Sequence, residues 1–149
     1  MTVLDSSAML AFLHREPEAA LVEALLISAN EEGEENVYAH AVNLIEVYYD
    51  LLRTQTPAEA EAGIETLRLA GVTERRDLDD VFWREIATLI AAARALPPDP
   101  TTGKRSTLAL GDGFGVCLAN RLGASFVTKD RSEIEPLHNA GLAGATFLR

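Results

Sequence analysis

"ALGDGFGVCLANRLGASFVTKD", residues 109–130, joins three closely spaced glycines to a helical stretch and then to an apolar run ending near an acid. Two folds compete for it. If "TLAL" (107–110) is a strand, "GDGFG" (111–115) reads as a phosphate-binding turn. Asp130, 19 residues beyond Gly111, then sits where a ribose-binding acid is expected. Three features oppose this reading. The spacing is G-x-G-x-G rather than G-x-G-x-x-G. Asp112 directs negative charge into a site meant for pyrophosphate. The chain after Asp130 is too short for the usual unit. If instead a helix starts at Ser106, then Leu108, Asp112, Gly115, Ala119 and Leu122 share one face. Asp112 then interrupts an apolar stripe, beside glycines that let another group approach the backbone closely.

The same pattern extends outward. "TVL" (2–4) reads as a buried strand ending near Asp5, with Ser6 or Ser7 capping a helix to about His14. Pro17 suits the first turn of a second helix, which carries Leu21, Leu25 and Ala29. "EEGEE" (31–35) reads as a solvated loop and "NVYA" (36–39) as a short strand. Residues 42–53 have helical period, with Val42, Ile45, Tyr49 and Leu52 on one face and Glu46 within it. Pro57 opens a helix that ends at Gly71, and "VTER" (72–75) reads as a strand. Asp79 or Asp80 starts a helix to about Ala95. "LPPDPTTGKRS" (96–106) is the clearest loop. "ASFVT" (124–128) and "ATFL" (145–148) are strands flanking a short helix over 132–141, interrupted by Pro136. Short strands separated by helices predict an α/β fold with a mostly parallel central sheet and helices on both faces. No repeat or linker divides the chain, so a single domain over 1–149 is expected.

The acids then stand out. Asp5 and Asp130 follow strands, where open α/β sheets bind ligands. Glu46 and Asp112 interrupt apolar helix faces, and no lysine or arginine lies at helical spacing to pair with Glu46. A buried carboxylate is costly unless paired or bound to metal. Convergence of the four would raise their pKa values unless a cation neutralised them. Mg²⁺ or Mn²⁺, hard ions with oxygen ligands, suit such a set. Asn43 and Asp50 lie at helical spacing from Glu46 as further candidates, and His40 is near it in sequence. The bland alternative makes each acid a helix cap or surface charge.

Composition sets limits. The chain has 149 residues, 48% of them hydrophobic, and a formal net charge of −10. That charge argues against a broad basic nucleic-acid surface. Lys104, Arg105, Lys129 and Arg131 flank the acids in sequence, as either a local phosphate-contacting rim or a solvated surface. Cys117 is the only cysteine, so no internal disulfide forms, and a core thiol is expected. No apolar run is long enough to span a membrane. The N-terminal segment does not read as a signal peptide, so a cytoplasmic location is expected.

"TVLDSSAMLAFLHREP", "AVNLIEVYYDL" and "LALGDGFGVCLANRLGASFVTKDR" together resemble, in order and spacing, the PIN-domain family, and within it the VapC-type toxin ribonucleases. The resemblance implies a three-layer α/β/α fold and Mg²⁺- or Mn²⁺-dependent RNA cleavage. It makes Asp5, Glu46, Asp112 and Asp130 the catalytic, metal-binding acids, with Ser6 or Thr128 supplying a nearby hydroxyl. It implies an RNA substrate, a small antitoxin protein as partner, and a homodimer. Two features depart from the pattern: the 96–106 loop is longer than usual before the third acid, and the net charge is low for an RNA-binding enzyme. Rival readings are a non-catalytic PIN-like protein-binding module and a phosphate-transferring hydrolase with Asp5 as nucleophile. The latter lacks the D-x-D start, because position 7 is serine.

Overall fold

The computed structural model describes residues 1–33 and 36–149. Among the described residues, five short strands form one sheet: β1 (Thr2–Leu4), β2 (Val37–His40), β3 (Thr73–Arg75), β4 (Ser125–Thr128) and β5 (Ala145–Phe147). Their order is β3-β2-β1-β4-β5, and every pairing is parallel. The helices among the described residues are α1 (Ser6–Leu13), α2 (Ala19–Glu31), α3 (Ala41–Leu52), α4 (Pro57–Leu69), α5 (Asp80–Arg94), α6 (Leu110–Leu122) and α7 (Arg131–Asn139).

Side chains alternate across the sheet with the two-residue period of a strand. Leu4, Val37, Ala39 and Val127 face one core, filled by Val22, Leu26, Val47, Leu51 and Leu67 of α2, α3 and α4. Val3 and Phe126 face the other, filled by Phe82, Ile86, Val116, Leu118, Ile134 and Leu137 of α5, α6 and α7. The result is the expected three-layer α/β/α arrangement. The chain builds outward from β1 to β3, then returns to the other side of β1 for β4 and β5. The order therefore reverses between β1 and β4, and the crevice outside their carboxyl ends is the place where such sheets take ligands.

Several local expectations are corrected. No strand precedes the glycines of 111–115; residues 107–109 are irregular and α6 starts at Leu110, which removes the dinucleotide reading. Ser106 does not cap that helix. It is buried, and its hydroxyl donates to the Glu133 carbonyl at 3.2 Å, so the loop runs further than expected. The cap of α1 is Asp5, not Ser6 or Ser7, because β1 already ends at Leu4. In α2 the buried stripe is Val22, Leu26 and Ala29, one position from the Leu21 and Leu25 expected. That helix continues through Glu31, so the 31–35 loop begins at Glu32; Glu34 and Glu35 lie outside the described residues. Helix α7 continues through Pro136.

The largest correction concerns α3. Its buried positions are Asn43, Val47 and Leu51. Ile45 and Tyr49 are 65% and 66% exposed, and Leu52 is exposed beside them. The helix carries two apolar stripes, and packing on the sheet takes the one that includes Asn43.

Helix α6 passes very close to β4 at Gly115. A Cβ there would lie 2.4 Å from Phe126 Cε2 and 3.0 Å from both Phe126 Cζ and Asn43 Oδ1. Phe126 is fully buried and has no room to yield. Gly115→Ala is therefore expected to destabilise the protein by about 1–3 kcal/mol through overpacking. Urea denaturation would measure this, and an unchanged midpoint would refute the close packing.

Candidate functional site

Asp5 sits where β1 gives way to α1. Its amide continues the sheet, donating to the Val127 carbonyl at 3.1 Å. Asp5 is 2% exposed, and its carboxylate oxygens are ringed by donors. Oδ1 accepts from the Ala8 amide at 2.7 Å and from Ser7 Oγ at 2.7 Å; Oδ2 accepts from Ser7 Oγ at 2.8 Å and Thr128 Oγ1 at 2.5 Å. The hydroxyls beside it are thus Ser7 and Thr128, not Ser6. Ser7 Oγ also accepts from the Lys129 amide at 3.0 Å, and Thr128 Oγ1 from the Asp130 amide at 2.9 Å. These bonds tie the ends of β1 and β4 together. Burial pushes the Asp5 carboxyl up to about 6; the Thr128, Ser7 and Ala8 hydrogen bonds partly offset this, and the Glu46 charge adds to the rise.

Glu46 lies on α3 and is exposed, not buried within an apolar face as expected, because the helix packs through the stripe of Asn43, which is buried one turn earlier. Asn43 Nδ2 donates to Glu46 Oε1 at 2.9 Å and to the Gly111 carbonyl at 3.0 Å. One amide thus fixes a carboxylate against the start of α6, the orienting role that its spacing suggested. Gly111 makes the approach possible: a Cβ there would lie 2.4 Å from Glu46 Oε1 and 2.7 Å from Cδ.

Asp112 follows in the first turn of α6. Its pKa is pushed up to about 7, first by burial and then by the charges of Asp5, Glu46, Asp130 and Glu133. Asp130 caps α7: its Oδ1 accepts from Ser132 Oγ at 2.8 Å and from the Glu133 amide at 3.2 Å. The fold thus brings the acids from four separate segments within electrostatic reach of Asp112. Among the described residues, no ion pair engages Asp5, Glu46, Asp112 or Asp130. Nor, among those residues, do three or more His, Cys, Asp or Glu side chains form a group that could hold a metal ion as arranged. In chemistry the donor set still fits a hard cation, since it supplies carboxylate oxygens and no basic side chain pairs with them among the described residues.

Other candidates take structural places. His40 caps α3, its Nδ1 accepting from the Val42 amide at 3.1 Å. Its Nε2 lies 2.8 Å from the Asp77 carbonyl, and its ring stacks on Phe82. Asp50 pairs with Arg53 at 3.2 Å and His14 at 3.6 Å rather than joining Glu46. Lys129 is held by Glu16 and by Glu18 at 3.6 Å, so it does not stand free as part of a phosphate rim. Arg131 is bound to Glu135 at 2.8 Å and to the Arg149 carbonyl. Lys104 and Arg105 are exposed on the loop. Cys117 is a buried thiol pushed up to about 11 by burial.

Sequence reasoning missed Glu133. The D-x-x-E spacing from Asp130 resembles a capping box. Its side chain instead reaches back to residues 107 and 108.

Comparison with known proteins agrees with this architecture. A family model described as the PIN domain matches residues 2–135. No curated protein sequence matches the chain. Among solved structures, the Rickettsia felis VapBC2 complex bound to a promoter DNA fragment has a similar chain. Its TM-score is 0.66 at 10% identity, covering 98% of this chain and 97% of that one. A toxin–antitoxin complex from Klebsiella pneumoniae gives 0.60 at 14% identity, covering 100% and 98%. Neisseria gonorrhoeae FitAcB gives 0.52 at 15% identity, covering 99% and 98%. At such identities the likeness is one of fold.

Proposed function

Because the chain belongs to the PIN domain family, we propose that it is a Mg²⁺- or Mn²⁺-dependent endoribonuclease, the toxin half of a toxin–antitoxin pair. The observation that carries this reading is Asp112: a half-buried carboxylate facing four others, with no ion pair among the described residues to neutralise it. Such an arrangement has a chemical purpose when a cation enters it. Asp5, Glu46, Asp112 and Asp130 would hold the ion. Bound there, a divalent ion supplies charge neutralisation for a phosphodiester and an activated water.

The chain's own residues do the rest. Ser7, Thr128 and the Ala8 amide orient Asp5. Asn43 orients Glu46 and leaves it against the Gly111 backbone. Gly111 keeps the passage between α3 and α6 open to a carboxylate. Outer partners of this kind hold ligands in one orientation and typically alter metal affinity about 10–100-fold when removed.

An antitoxin partner and a homodimer belong to the same reading. The antitoxin partner is supported by the structural likeness to chains from toxin–antitoxin complexes. The exposed Ile45, Tyr49 and Leu52 stripe of α3 supports a protein-binding surface, since apolar patches of this sort mark interaction sites. Among the described residues no helix is long and apolar enough to cross a membrane. The chain is read as a single domain acting in the cytoplasm.

The test is direct. Purified protein is incubated with structured and unstructured RNAs in Mg²⁺, Mn²⁺ or EDTA. Cleavage present with metal and lost in EDTA is the expected result. No metal binding by calorimetry, together with no cleavage, would replace the nuclease with a non-catalytic binding module.

A further inference from the structure

The loop between α5 and α6 ends in a segment that its own residues do not stabilise. Leu108 has φ 35°, a region that side-chain-bearing residues rarely adopt, and is 1% exposed. Ala109, the N-cap of α6, has no side-chain acceptor to offer. One distant residue holds the backbone just before this cap. Glu133 Oε2 accepts from the Leu108 amide at 2.7 Å and the Thr107 amide at 3.0 Å. Thr107 Oγ1 lies 3.2 Å from each Glu133 carboxylate oxygen. The Glu133 carbonyl accepts from the buried Ser106 hydroxyl. Glu133 is itself held by the cap of α7, since its amide donates to Asp130 Oδ1. Asp112 lies one turn beyond Leu108, in the first turn of α6.

From this chain of contacts we propose that Glu133 is a positioning residue: its carboxylate anchors Thr107 and Leu108, sets where α6 begins, and so places Asp112 opposite Asp5 and Glu46. The proposal rests on the reading of Asp112 as a metal ligand. Glu133 is fitted to anchor rather than to ligate. Two backbone amides and a hydroxyl already use its carboxylate oxygens, and a carboxylate has only about four acceptor positions. Without it, two amides at the entry to α6 lose their acceptor.

The experiment follows Mn²⁺ binding by calorimetry and hydrogen exchange of the Leu108 amide in the parent and three variants. Glu133→Gln keeps an oxygen for the amides and turns its NH₂ toward the Thr107 hydroxyl. It is expected to retain Leu108 protection and to bind Mn²⁺ nearly as the parent does. Glu133→Ala removes the anchor, and Glu133→Asp keeps the charge on a side chain one carbon too short. Both should lose Leu108 protection and bind Mn²⁺ about tenfold or more weakly. Glu133→Asp binding as the parent does while Glu133→Gln fails would overturn the proposal, because charge and not anchoring would then matter. Unchanged Mn²⁺ affinity in Glu133→Ala would also overturn it. A parent that binds no Mn²⁺ would instead overturn the nuclease reading. In that case, equal Leu108 exchange in the parent and Glu133→Ala would separately overturn the anchor.

Discussion

Asp112→Asn is expected to abolish RNA cleavage and, at pH 8 without metal, to make the protein more stable. Both effects come from one cause. In the parent, folding places the Asp112 carboxylate in a poorly solvated position facing Asp5, Glu46, Asp130 and Glu133, which pushes its pKa up to about 7. At pH 8 the group is ionised and repelled by its neighbours. A neutral amide of the same shape removes that repulsion. One pKa unit corresponds to about 1.4 kcal/mol, so the gain is on the order of 2–4 kcal/mol. For a chain of this size that is several degrees in melting temperature. The same substitution removes a charged oxygen from the proposed metal site, and cleavage should fall by at least about 100-fold. Thermal melts at pH 8 and pH 5, beside an RNA cleavage assay, check both halves. The stability gain should shrink at pH 5, where the folded parent already carries a proton on Asp112. A variant less stable than the parent at pH 8 would mean that Asp112 is a structural acid.

The metal-free parent is expected to lose stability as pH rises from 5 to 8, and Mn²⁺ to reverse the trend. Asp5 and Asp112 have folded pKa values of about 6 and about 7, above the 3.8 of an ordinary aspartate. A carboxyl raised in this way contributes stability that is complete below its unfolded pKa and is lost as pH rises through its folded pKa. Asp77, Asp79, Asp99 and Glu18 are shifted downward, mainly by arginine and backbone partners, and stay ionised throughout the window. His40 acts in the opposite sense. Burial lowers its pKa, so its protonation opposes folding toward pH 5, but one imidazole faces two raised carboxyls. The sum is a melting temperature lower at pH 8 than at pH 5, by several degrees. A metal that binds only the folded state and needs deprotonated ligands stabilises most at high pH. Melts at three pH values with EDTA or Mn²⁺ would show the two slopes. A metal-free protein more stable at pH 8 would contradict the crowding of acids at the site.

Much of the fold follows from local pattern. "TVL" before Asp5 and "SFVT" before Lys129 and Asp130 are short apolar runs that have to be buried strands. The helical periods between strands require crossovers and hence parallel pairing. Cap and break positions such as Thr56-Pro57 and Asp79 also act locally, through a capping box on α4 and amide bonds from Val81 and Phe82. The position of Asp5 and Asp130 at strand ends is legible for the same reason.

What the tertiary structure alone decided is of another kind. Helix α3 has apolar residues on two faces, and periodicity cannot choose between them. The choice falls to the face bearing Asn43, whose amide bonds both Glu46 and the Gly111 carbonyl 68 residues away. Periodicity starts α6 at Ser106 and the structure starts it at Leu110, because its anchor, Glu133, comes from beyond the helix and strand that follow. The Thr128 hydroxyl on Asp5 spans 123 residues. Composition, spacing and hydrophobic period report on backbone geometry within a few turns, and they determined the elements and the strand-end acids. Hydrogen bonds between distant segments depend on how completed layers pack. Only the packed sheet decided which side chains hold those acids in place.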